Sequence, residues 1–150
     1  MGLSIALHAL AAVIWVGGMF FAYMAMRPAV ANTIPAEQRP ALWLATFTAF
    51  FRYVWGAIAV LLLTGYALIG AYGGMGVIGW HIHVMHGLGL LMMLLFLHIY
   101  FAPYRRLKLA VAADDTTEGN RRVGQMRLFI AINLVIGLAV VVIGAGGRYW

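Results

Sequence analysis

The chain has 150 residues, 65% of them hydrophobic and 9% charged, with a net charge of +6 and no cysteine. A soluble domain needs about 25% charged residues to cover its water-facing surface, so this composition, with a mean hydropathy of +0.94, excludes a soluble globular protein. The missing cysteines exclude disulfides, thiolate metal sites and thiol chemistry, so any redox work falls to a cofactor or to a metal held by His, Met or carboxylate.

A membrane helix needs about 20 largely apolar residues, and four such runs follow one another. The first covers about 3–26 and ends at the Arg27-Pro28 pair. The start lacks the basic n-region of a signal peptide, so this run is read as a retained span. The second covers about 53–72, and the apolar stretch Ala41 to Phe51 lies at the interface or extends it. A Gly-rich turn, Ala71 to Trp80, leads to the third at about 79–102, ended by Pro103; so short a turn predicts that spans two and three are antiparallel neighbours. Ala112 to Arg122 reads as a solvated loop, and the fourth span covers about 128–147. The fold class expected is therefore all-α: one integral membrane four-helix bundle with no second domain. No duplication between the halves stands out, which argues against an inverted-repeat transporter.

The basic residues set the orientation. Arg27, Arg39 and Arg52 flank the first loop, and Arg105, Arg106, Lys108, Arg121, Arg122 and Arg127 the third, whereas only Arg148 lies at the other face. By the positive-inside rule both longer loops are cytoplasmic and both termini lie outside, in a bacterial inner membrane. The net charge then reflects topology and a lipid bilayer partner, not nucleic acid. Trp80, Tyr100, Tyr104 and Trp150 read as an interfacial aromatic belt.

Ionisable side chains inside a span are costly and are functional candidates by default. His8 lies about 8 Å, and His86 about 10 Å, inside the outer ends of spans one and three, from a rise of about 1.5 Å per residue. His98 stands about 18 Å further along span three than His86. Two imidazoles at one depth on two helices suit a haem b iron, which takes axial ligands from opposite faces. Ala12 beside His8 and Gly89 beside His86 would leave flat space for the macrocycle, and Trp15 and Met93, seven residues on from each histidine, would pack on it. This reading predicts one haem between spans one and three and electron transfer with a quinone or a periplasmic partner. His8 has a plainer alternative, a packed histidine bonding a hydroxyl or carbonyl on a neighbouring helix.

Copper is the competing ligand. His81, His83, Met85 and His86 crowd into one and a half turns, but His81 and His83 stand about 200° apart and His83 and His86 about 60° apart. His8, His83 and His86 would therefore be the imidazoles facing one ion, with soft thioethers such as Met19 or Met85 completing it. Most methionines read as core filling. The glycine-rich stretch Gly137 to Gly147 permits tight packing within the chain as readily as a homodimer.

The stretch LHALAAVIWVGGMFFAYMAMRPA (Leu7 to Ala29), with its L-H, W-x-G-G-M-F and R-P elements, resembles the start of small bacterial membrane proteins of the CopD (copper resistance D) family. That resemblance implies copper handling or uptake. A weaker similarity, through His8, is to the HemJ family of four-span haem proteins linked to protoporphyrinogen oxidation. It implies an oxidase-like enzyme, but the chain carries MRPAVANT (Met26 to Thr33) where that family has a P-R-L-F-V-Y-H-like ending.

Overall fold

In lipid, backbone N–H and C=O groups find no water, so an apolar run must satisfy them within itself and becomes a helix. A computed structural model describes residues 1–149, and of Arg148 the backbone alone. It contains four helices long and apolar enough to cross a membrane: α1 (Gly2–Thr33), α2 (Arg39–Ala71), α3 (Trp80–Ala112) and α4 (Thr116–Gly146). Arg148 and Trp150, read as the lone outer cation and a belt residue, lie outside what is described at side-chain level.

All four helices overrun the spans read from hydropathy. Pro28 and Pro103 do not end α1 and α3, because each helix widens at this point into a π turn, Ala22–Met26 in α1 and Tyr100–Tyr104 in α3. A single π turn inside an α-helix resets the hydrogen-bond register. Arg27 N–H reaches back to the Ala22 carbonyl, and α-helix resumes with Pro28 in its first turn, where a missing N–H is tolerated. The stretch read as a loop, Ala112 to Arg122, is largely helix. Only a tight turn separates α3 from α4, with Asp114 in the left-handed region at φ 52°. The Asp115 carboxylate then caps α4 by accepting from Glu118 N–H at 2.9 Å, the Asp-x-x-Glu pattern of a helix start. In the Gly-rich turn before α3, Gly73 and Gly74 sit at φ 97° and 93°, which only glycine adopts freely.

The most extensive backbone packing is α1 on α2 and α3 on α4. Spans two and three are antiparallel as expected, but meet through long side chains. Trp43, Phe47 and Phe51, four residues apart on α2, stack in a ladder with centroids 5.2 and 5.4 Å apart. Trp55 continues this ridge, and Phe96, Tyr100 and Tyr104 form the facing one on α3, with Phe51 edge-on to Phe96 at 5.3 Å and to Tyr104 at 4.9 Å. Tyr104 also hydrogen-bonds Thr48 at 2.8 Å. Tyr104 is thus buried core, not a belt residue, while Trp80 is exposed.

α4 meets α3 through glycines. A Cβ on Gly137 would lie 2.9 Å from Val16 and 3.1 Å from Met92, one on Gly144 2.9 Å from Met85, and one on Gly147 2.6 Å from His81. The glycine face of span four is therefore used within the chain, as small residues are where membrane helices approach closely.

The molecule is a pair of alike hairpins, which sequence comparison of the halves did not anticipate. α1 and α3 each run 20 residues of α-helix, a 5-residue π turn and a short helical continuation, and each is followed by a helix of over 30 residues. His8 and His86 are each the seventh residue of their helix.

Candidate functional site

Near the end of the bundle formed by the Gly-rich turn, α2 interrupts its apolar run with Thr64, Gly65 and Tyr66. Thr64 is about 10 Å from the end of α2, the depth of His8 on α1. Its hydroxyl donates to the Val60 carbonyl one turn back, at 2.6 Å, as threonines inside helices commonly do. A hydroxyl has one proton to give, so in the 2.9 Å contact between His8 Nδ1 and Thr64 Oγ1 the imidazole is the donor. Nδ1 carries the proton, and Nε2 of the neutral ring keeps its lone pair. A histidine tied at Nδ1–H in this way has the tautomer and orientation of a metal ligand. Gly65 makes room for the ring: a Cβ there would stand 3.3 Å from His8 Cε1.

His86 also turns to α2. Its Nε2 lies 3.1 Å from the Tyr66 hydroxyl, with the rings edge to face at 5.6 Å. Thr64 and Tyr66 are two residues apart, so the two anchoring positions lie about 3 Å apart along α2 and about 200° apart around it. The matched depth read from the sequence is thus present, but each imidazole is anchored on span two rather than facing the other across a gap between spans one and three.

The remaining candidates scatter. His83 is exposed. His81 is half-buried and packs against Gly147 and beside Trp80. His98 is exposed and packs against Phe129, the rings tilted with centroids 4.6 Å apart. Trp15 is 2% exposed and packs edge-on against Phe96 at 6.2 Å, so it fills the bundle centre. Met93 packs at the edge of the core, Ala12 is half-buried, and a Cβ on Gly89 would meet nothing within 4 Å. The haem sandwich expected between spans one and three gains no support from this arrangement. Among the described residues, no three of His, Asp and Glu stand together as an ion would require, so His8, His83 and His86 do not form one cluster. Met19, expected as a candidate thioether ligand, is buried in the core with Met92, and Met24 and Met75 are exposed.

Thr64, Gly65 and Tyr66 were not anticipated as site residues. Their signal was a polar-glycine-polar triplet in an apolar run, at the depth of His8.

A family model described as copper resistance protein D matches residues 44–146, more than half of the chain, and the chain belongs to that family. The match takes in spans two to four and the Thr64-Gly65-Tyr66 triplet, whereas the resemblance noted in the sequence rested on span one. No curated protein and no solved structure matches the chain, and nothing in the comparisons adds to the HemJ resemblance.

Proposed function

We propose that this member of the copper resistance protein D family handles copper in the membrane, meeting the ion as cargo at the His8 end of the bundle. The observation that carries the reading is the contact of His8 Nδ1 with Thr64 Oγ1, whose own proton goes to the Val60 carbonyl. With Nδ1–H spent on Thr64, Nε2 is a free imidazole donor held in one orientation, and imidazole is a good copper ligand. Family membership supports copper as the metal. His86, level with His8 on the other side of α2, and the half-buried thioether of Met85 against Gly144 are further donors at that end, and thioethers suit Cu(I). An ion held by so few protein ligands is released readily, which suits cargo better than a resident centre. By the positive-inside rule this end faces outside, so copper would be met from the outer side of a bacterial inner membrane.

The test is the metal content and absorption spectrum of detergent-purified protein from cells grown with copper and ample haem. The reading predicts bound copper, no Soret band, loss of copper in His8→Ala and retention in His83→Ala. A Soret band with sharp reduced α and β bands would replace copper with haem and electron transfer. Equal copper in His8→Ala would remove His8 from the site.

A further inference from the structure

The opposite end of the bundle, where α1 joins α2 and α3 joins α4, holds a cavity of about 200 Å³ lined by Arg27 of α1, Arg39 of α2 and Arg127 of α4. The π turn in α1 places Tyr23 and Arg27 together on its wall, with the guanidinium 4.6 Å over the tyrosine ring. Arg39 gives Nε–H to the Ile34 carbonyl at 2.8 Å and one terminal N–H to Ala31 at 2.9 Å, which fixes its planar fork and leaves further donors unspent. No carboxylate lines the cavity. Among the described residues the ion pairs are those of Glu118 with Arg121 and Arg122, so the three cavity arginines have no acidic partner there.

Three guanidinium groups beside one cavity at a membrane surface repel one another, a cost that a bound anion would offset. Guanidinium forks match the oxygens of a phosphate group, and basic pockets between membrane helices favour anionic headgroups. Trp43, on the apolar side of the same cavity, offers a surface for whatever is attached to the phosphate.

We propose that this cavity is a binding site for a phosphate-type anion, the chemistry shared by an anionic phospholipid headgroup and free inorganic phosphate. The experiment follows the melting temperature of the full chain in neutral detergent as phosphatidylglycerol, phosphatidylcholine or inorganic phosphate is added. Wild type is compared with Arg127→Gln, an exposed cavity residue whose loss leaves the fold intact, and with Arg106→Gln, an exposed arginine outside the cavity. The expected result is an upward shift with phosphatidylglycerol and none with phosphatidylcholine, largely lost in Arg127→Gln and kept in Arg106→Gln. The same pattern with inorganic phosphate alone supports the site and assigns it to the free anion. No shift with either anion, or equal loss in both variants, overturns the proposal.

Discussion

The α1–α2 and α3–α4 hairpins share a backbone plan and differ in where their buried polar groups find partners. In the first, His8 is satisfied inside its own hairpin by Thr64. In the second, α4 has no polar side chain between Asn133 and Arg148, so the equivalent His86 reaches across to Tyr66 of the other hairpin. Asn133 itself is 1% exposed and gives its amide N–H to the Met92 carbonyl at 3.3 Å, which ties α4 to α3 where Thr64 ties α2 to α1. The contrast separates two layers of information. Apolar length and a π turn before each basic segment set the plan, and a handful of polar residues set which nitrogen of each imidazole is engaged, Nδ1 in His8 and Nε2 in His86.

Breaking the joint between the hairpins should cost most. Phe96, 2% exposed, touches Trp15, Phe51, Trp55 and Tyr100, and Phe96→Ala should destabilise by about 3–5 kcal/mol in detergent unfolding. A loss under about 1 kcal/mol, well below that range, would mean the aromatic ladders do not hold the halves together. Overpacking the α4 seam comes next: Gly137→Ala, whose Cβ would crowd Val16 and Met92, should cost about 1–3 kcal/mol. Gly89→Ala, in open space, should be close to neutral, and equal effects would contradict the seam. The polar pairs are worth less. Thr64→Val leaves the His8 N–H without its acceptor and should cost about 0.6–1.7 kcal/mol, the range for hydrogen bonds between membrane helices. Tyr66→Phe, at an exposed tyrosine and a longer contact, should cost less than Thr64→Val. The reverse order would show that His86 is the firmly held imidazole.

The four spans were legible because hydropathy over about 20 residues is a strong signal, and His8 stood out because an imidazole is costly in lipid. Other features were not legible, for physical reasons. Pro28 and Pro103 read as helix ends because proline removes a donor, and a π turn that absorbs this loss has no side-chain signature. The two hairpins look unlike in sequence because lipid-facing positions accept any apolar residue, so repetition survives in lengths and in His8 and His86 rather than in identities. Asp115 and Glu118 did carry a helix-start signature, outweighed by the polarity of their neighbours. The role of Thr64 was hidden because depth along a helix can be counted, whereas the neighbour a side chain faces depends on how the helices pack.

The most direct test of the account is a Cu(I) competition titration of the purified protein against a chromophoric Cu(I) chelator, with wild type beside His8→Ala. If His8 Nε2 is the first donor, His8→Ala should bind at least about tenfold more weakly, a difference of about 1.4 kcal/mol. Unchanged affinity in His8→Ala would contradict the account.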